Sequence, residues 1–122
     1  MKKILIAEDD KFLANAYRVK IAKAGFDVRI ASDGVEAMEL VKSFLPDLVI
    51  LDLVMPKKDG FSVLADLKND PNYSKIPVIV ASNLGQGEDV EKARKLGSND
   101  YVVKTDLSLT KLIEQIRKII GE

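Results

Sequence analysis

Short, nearly unbroken apolar runs alternate along this chain with longer stretches in which apolar residues recur every three or four positions. Ile4, Leu5, Ile6 and Ala7 form the first run, and residues 28–31, 48–51, 78–81 and 101–103 form the others. Runs this short and this apolar predict strands buried on both faces. Between the first two, Phe12, Leu13, Ala16, Tyr17, Ile21 and Ala24 are spaced as one face of a helix over residues 11–24. Gly25 follows, where a left-handed stop is favoured. Asp33 and Glu36 have capping-box spacing ahead of Val35, Ala37, Met38, Leu40, Val41 and Phe44, and Pro46 ends that helix. A loop over residues 55–60 leads into a helix over 61–68, and Asn69, Asp70, Pro71 and Asn72 form a turn cluster. Gly85, Gln86 and Gly87 predict a loop, then residues 88–96 a helix stopped by Gly97. The last helix, residues 109–120, has Leu112, Ile113, Ile116, Ile119 and Ile120 on one side, with Asp106 or Ser108 as its cap.

Five strands thus alternate with five helices, with no linker and no internal repeat. Such an alternation predicts an α/β fold, a doubly wound parallel sheet covered on both faces, with residues 1–122 as one domain. In open sheets of this kind, ligands collect at the carboxyl ends of the strands. The residues just after each strand are therefore the place to look for chemistry.

Composition narrows that chemistry. The chain has 122 residues, 47% hydrophobic and 31% charged, as expected of a globular domain. Lys plus Arg and Asp plus Glu both number 19, so the net charge is zero. No global field draws it to nucleic acid or to an anionic membrane. It contains neither Cys nor His, which removes disulfides, thiolate sites and the commonest zinc ligand and general base. Glu8 arrives too early for the first apolar run to serve as a signal peptide, and no stretch approaches the ~20 apolar residues of a membrane span. The expected location is the cytoplasm.

Glu8, Asp9 and Asp10 follow the first strand, Asp52 the third, Ser82 and Asn83 the fourth, and Lys104 the fifth. Alone, each is mundane: an acidic pair after a strand is more often a helix cap, a serine a turn residue, a lysine a solvated charge. Asp52 is the exception, because Leu51, Leu53, Val54 and Met55 surround it and an unpaired buried carboxylate costs several kcal/mol. Carboxylates brought together at one edge repel, and a hard divalent cation relieves that repulsion. An all-oxygen set favours Mg²⁺ or a similar ion, which shares its shell readily with phosphate oxygens. An aspartate there is also a possible nucleophile toward phosphorus.

With these residues in view, the chain resembles the response regulator receiver family of two-component signalling, in its single-domain, chemotaxis-regulator-like form. The resemblance rests on Glu8-Asp9-Asp10, on Asp52-Leu53-Val54-Met55-Pro56-Lys57-Lys58-Asp59-Gly60, on Ser82 after Val78-Ile79-Val80-Ala81, and on Asp100-Tyr101-Val102-Val103-Lys104. It covers essentially the whole chain. It implies a flavodoxin-like sheet of strand order 2-1-3-4-5. It implies that Asp52 is the phosphoacceptor and that Glu8 and Asp9, with Asp52 and the Val54 carbonyl, bind Mg²⁺ (or Mn²⁺), Asp9 being the direct ligand of the acidic pair. Ser82 would contact the phosphoryl group as the switch hydroxyl, Lys104 would pair with a phosphoryl oxygen, and Tyr101 would change rotamer on activation. The implied donor is a phosphohistidine of a sensor histidine kinase or phosphotransfer protein. The output would be a downstream protein target docking on residues 88–120, from Glu88 in the fourth helix to Ile120 at the end of the fifth. A monomer is expected, with dimerisation on phosphorylation open to it.

Two positions depart from the family pattern. The family has Lys-Pro with a cis peptide where this chain has Lys104-Thr105; a cis bond before a non-proline costs about 2.5–4 kcal/mol, so either it survives under strain or the loop is rebuilt in trans. The residues two beyond Asp52 and two beyond Ser82, Val54 and Leu84, are both apolar, which implies slow loss of the phosphoryl group. Three other readings compete. A receiver-fold interaction module that is never phosphorylated has no need of all five of Glu8, Asp9, Asp52, Ser82 and Lys104. An aspartyl phosphatase would carry Asp-x-Asp after the first strand, not Glu8-Asp9-Asp10-Lys11. A nucleotide- or flavin-binding domain would show a Gly-rich phosphate loop there.

Overall fold

The computed structural model describes residues 1–83, 87–106 and 108–121. Its strands are β1 (Lys3–Ala7), β2 (Asp27–Ala31), β3 (Leu48–Leu51), β4 (Val78–Ser82) and β5 (Asp100–Val103). Its helices are α1 (Lys11–Lys23), α2 (Gly34–Phe44), α3 (Gly60–Asn69), α4 (Gly87–Lys95) and α5 (Leu109–Ile120). The sheet is parallel throughout, in the order β2-β1-β3-β4-β5. Every strand thus ends on the same edge. The expected alternation and strand order both hold.

Strand alternation divides the core in two. Leu5, Ala7, Val49, Leu51, Val78 and Val80 face one way, under Val41 of α2, Leu64 of α3 and Ala93 of α4. Ile4, Ile6, Leu48, Ile50, Ile79 and Ala81 face the other way, under Tyr17 of α1 and Leu112 and Ile116 of α5. These side chains are almost fully withdrawn from water, and burial on this scale is the main force that closes the sheet between its helices.

The helix starts follow local hydrogen bonding. Asp10 caps α1 by accepting from the Phe12 and Leu13 amides at 3.0 and 3.2 Å. Asp33 caps α2 through the Glu36 amide at 2.8 Å, while Glu36 reaches back to the Ser32 amide at 2.9 Å, one residue beyond the usual capping-box partner. Asp59 caps α3 and Ser108 caps α5; the Asp106 side chain lies outside the described residues. Gly25 and Gly97 take φ of +101° and +106° at the predicted stops. Leu45 makes the left-handed turn before Pro46, at φ +51°.

Four expectations need correction or limits. The buried face of α1 is Ala14, Tyr17 and Ile21. Phe12, placed in the core by its spacing, is 92% exposed; it lies five residues from Tyr17, roughly 140° around the helix, in the first turn beside the strand ends. Ala16 and Val35 are also exposed. The described residues contain no cis peptide, so Lys104-Thr105 is trans and opens a single 3-10 turn, Lys104–Asp106. Gly87 opens α4, whereas Leu84, Gly85 and Gln86 lie outside the described residues. Among the described residues, no helix is long and apolar enough to cross a membrane.

Gly60 shows how tightly the β3–α3 connection is drawn. Its amide donates to the Leu53 carbonyl at 2.9 Å, and a Cβ there would lie 2.1 Å from the Asp52 carbonyl oxygen. Backbone cannot yield as a flexible side chain does. Gly60→Ala is therefore expected to destabilise the fold by about 1–3 kcal/mol, read as a lower urea midpoint at unchanged m value. An unaltered midpoint would show that the connection has slack.

Candidate functional site

The sheet ladder carries on past the strand ends and fixes the backbone of the acidic residues. The Glu8 amide donates to the Ala31 carbonyl and the Asp52 amide to the Ala7 carbonyl, both at 2.9 Å. Alternation then assigns faces. Glu8 follows Ile4 and Ile6, Asp52 follows Leu48 and Ile50, and Lys104 follows Val102, all on the α1/α5 side. Ser82 follows Val78 and Val80 on the opposite side, which is also the side of Tyr101.

This placement explains the contacts. Lys104 Nζ lies 3.1 Å from Asp52 Oδ2 and also pairs with Glu8 Oε1. Glu8 and Asp52 are buried, 2% and 5% exposed, and the Lys104 side chain is nearly so. Glu8 Oε2 accepts the Asp10 amide at 3.1 Å. Glu8, Asp9 and Asp52 each offer a carboxylate oxygen, all within 4.8 Å of one another. Asp9 is exposed at the rim, and Asp10 is occupied as the α1 cap. These residues line an open cleft of about 330 Å³ together with Val54, Ser82 and Asn83.

The electrostatics are lopsided. Burial pushes the Glu8 carboxyl up to about 7, against the opposing pull of its bonds to Lys104 and to the Asp10 amide, and Asp52 adds to the rise. Burial alone would lower the Lys104 ammonium, but Glu8 and Asp52 together hold it above its ordinary value. One cation serves two carboxylates, so the ammonium is over-supplied while Glu8 is under-supplied. Three carboxylates with neither His nor Cys form a donor set for a hard divalent cation.

Ser82 is fully buried. Burial raises the Tyr101 phenol, partly offset by a hydrogen bond with the Ser82 side chain. The hydroxyl at the end of β4 and the aromatic on β5 are therefore in direct touch. Tyr101 is half-buried and borders a groove of about 490 Å³ between β5 and α5, which Ser108, Lys111 and Gln115 also line. The structure thus brings Glu8, Asp9, Asp52, Val54, Ser82 and Lys104 to one cleft, with Tyr101 behind it; Leu84 lies outside the described residues. Sequence reasoning missed Tyr17, which lies buried beneath this site. Its helical spacing marked it only as core.

Comparison with known proteins gives one answer. The profile of the response regulator receiver domain matches residues 4–117. The polar-differentiation response regulator DivK of Brucella anthropi is 30% identical over 121 residues, covering 99% of this chain and 98% of DivK. Other curated relatives, transcriptional regulators at 33–36% identity, are longer, and the chain spans about half their length. The receiver domain of the Francisella response regulator 1452 superposes with a TM-score of 0.92 at 33% identity, over 99% of this chain and 98% of that one. The Mn²⁺-bound form of response regulator Rcp1 does so with 0.82 at 31%, over 97% and 93%.

The Glu8 shift carries a pH signature. In metal-free protein the carboxyl titrates near 4.5 unfolded and near 7 folded, so folding takes up a proton between those values. The resulting stability is complete below about 4.5 and is lost as pH rises through about 7. Chelator-treated Glu8→Gln is expected to show a flatter stability profile across this window than wild type. Identical slopes would assign the titration to another group.

Proposed function

This chain belongs to the response regulator receiver family, and on that premise we propose that it is a phosphoacceptor switch of two-component signalling, with Asp52 as the acceptor. The observation that carries the reading is the burial of Asp52 at a strand end, clustered with Glu8 and Asp9 and paired with Lys104. The donor is a phosphohistidine on a sensor histidine kinase or phosphotransfer protein, the donor class that the receiver family implies.

In the transfer, an Asp52 carboxylate oxygen attacks phosphorus in line. The new P–O bond forms as the P–N bond to the donor imidazole breaks, and the imidazole keeps that electron pair. Lys104 moves its ammonium onto the phosphoryl oxygens, and Ser82 donates its hydroxyl to another. Positioning and charge stabilisation supply most of the catalysis in such a step. Glu8, Asp9, Asp52 and the Val54 carbonyl would hold Mg²⁺ (or Mn²⁺). When bound, that cation offsets the negative charge of the phosphoryl oxygens and of the acidic cluster. The protein catalyses only its own phosphorylation and slow dephosphorylation.

The readout passes through Ser82. Drawn toward the phosphoryl group, its hydroxyl pulls on its bond with Tyr101, and the ring turns inward. The surface altered is α4, β5 and α5, within residues 88–120. Within it α4 is lightly held: Ala93 is its buried residue, supplemented by Lys92 over the Phe61 ring at 4.2 Å. A helix with so little buried surface is inexpensive to shift. A protein target then docks on this surface, at a cytoplasmic location.

Acetyl phosphate with Mg²⁺ is expected to add one phosphoryl group to wild type, read by intact mass, and none to Asp52→Ala or in the presence of chelator. Failure here and with a beryllofluoride probe of the same cleft would leave a receiver-fold interaction module as the better account. Val54 is 61% exposed beside Asp52, an apolar neighbour that offers an attacking water no hydrogen bond. Val54→Asn is therefore expected to shorten the phosphoryl lifetime several-fold; an unchanged lifetime would remove Val54 from the control of hydrolysis.

A further inference from the structure

Among the described residues, two buried side-chain oxygens have no hydrogen-bond partner: the Tyr17 hydroxyl and Glu8 Oε1. Glu8 Oε1 has its ion pair with Lys104 and nothing else. Tyr17 is 1% exposed, and a buried hydroxyl without a partner is a destabilising feature that calls for a reason. The ring packs in the same cluster as Ile6 and Ile50. Glu8 and Asp52 are the next residues on that face, so a donor without an acceptor shares the face of an acceptor with a single partner. Burial first, and then the Glu8 carboxylate ahead of Asp52 and Asp10, suppress ionisation of the phenol. It remains a neutral donor.

We propose that Tyr17 is a positioning residue whose hydroxyl takes over Glu8 Oε1, directly or through one buried water, when Lys104 turns to the phosphoryl group. The inference rests on the phosphoacceptor reading for its occasion, and for its substance on a buried hydroxyl without a partner on the face of Glu8, whose Oε1 has Lys104 alone. In the resting state Lys104 supplies Glu8 and the hydroxyl waits. Once Lys104 is engaged above, Glu8 Oε1 would lose its ammonium; a cation held by the acidic cluster would meet the charge of the carboxylate, and the phenol would supply the hydrogen bond that keeps Oε1 in place. The phenol is the described group on that face still unspoken for. The same movement gives the phenol the acceptor it lacks at rest and replaces the partner that Glu8 Oε1 gives up.

The test is Tyr17→Phe, which removes one oxygen and keeps the ring. Thermal unfolding is measured without ligand and across a titration of beryllofluoride in Mg²⁺, where binding to the folded state raises the midpoint. The variant is expected to be at least as stable as wild type without ligand, and to bind the probe about tenfold more weakly, the scale of one hydrogen bond to a charged group. Equal affinities would overturn the inference. So would a clear loss of stability without ligand, because the hydroxyl would then already be bonded at rest. No response in wild type would defeat the phosphoacceptor reading itself. A second measurement is independent of phosphorylation. In Lys104→Met, Glu8 has lost its cation at rest, so Tyr17→Phe is expected to lower stability there although it does not in wild type. Absence of that coupling would overturn the inference whatever happens at Asp52.

Discussion

One ammonium shared between two buried carboxylates is a costly object to build, and much of this fold can be understood as the means of holding it. Desolvating charged groups costs several kcal/mol each, and losing one partner of a buried pair costs about 3–5 kcal/mol. Glu8, Asp52 and Lys104 come from three strands distant in sequence. They meet because parallel connections bring every strand to the same edge, and because alternation points all three side chains to the same face. A slip of one residue in any of these strands would turn its charged group to the opposite face. The register is in turn fixed by the wholly apolar interiors of β1, β3 and β4, where a slip would exchange the two halves of the core.

The same geometry accounts for a charge pattern that composition conceals. The zero net charge conceals a partial segregation of charge between the two ends. At the strand-end edge stand Glu8, Asp9, Asp52 and the caps Asp10, Asp33 and Asp59; the last turns of the helices, at the other end, carry Lys20, Lys23, Lys42, Lys68, Arg117 and Lys118. Helix dipoles favour this arrangement, with acids at amino ends and bases at carboxyl ends. The acidic concentration that suits a cation is therefore partly a by-product of well-capped helices. What distinguishes the site is burial: the caps Asp10 and Asp59 are exposed and Asp33 is half-buried, whereas Glu8 and Asp52 are enclosed.

How far sequence reached depended on the kind of signal. Unbroken apolar runs and glycine stops carried the strand positions, the helix count and the edge on which to look, because burial on both faces leaves a strong trace. Helical spacing was weaker evidence of facing. It placed Phe12 in the core, yet that residue stands in solvent, since it lies well around the helix from the face that Ala14, Tyr17 and Ile21 bury. The capping box at Asp33 was legible in type, but the reach of Glu36 to Ser32 was not. The trans Lys104-Thr105 peptide was open until the structure decided it. That Lys104 would bridge both Glu8 and Asp52, and that Ser82 would touch Tyr101, depend on distances between strands that no local pattern encodes.

The two faces of the sheet are unequally anchored, and this limits where a change at the cleft can travel. On the α1/α5 side, Tyr17, Ile21, Leu112 and Ile116 are locked into a dense cluster, and Arg117 ties α5 to the end of α1 through the Ala24 carbonyl at 2.9 Å. On the other side, α2 and α3 contribute several buried residues, while α4 contributes Ala93. Charge rearrangement at Glu8, Asp52 and Lys104 meets dense packing on the α1/α5 side, which opposes displacement of α1 and of the buried face of α5. Ser82 faces the yielding side, in contact with Tyr101 and one strand from α4. A local charge event becomes a change of surface only where an element can move at low cost, so on the proposed reading the hydroxyl at the end of β4, rather than the lysine at the end of β5, passes it on.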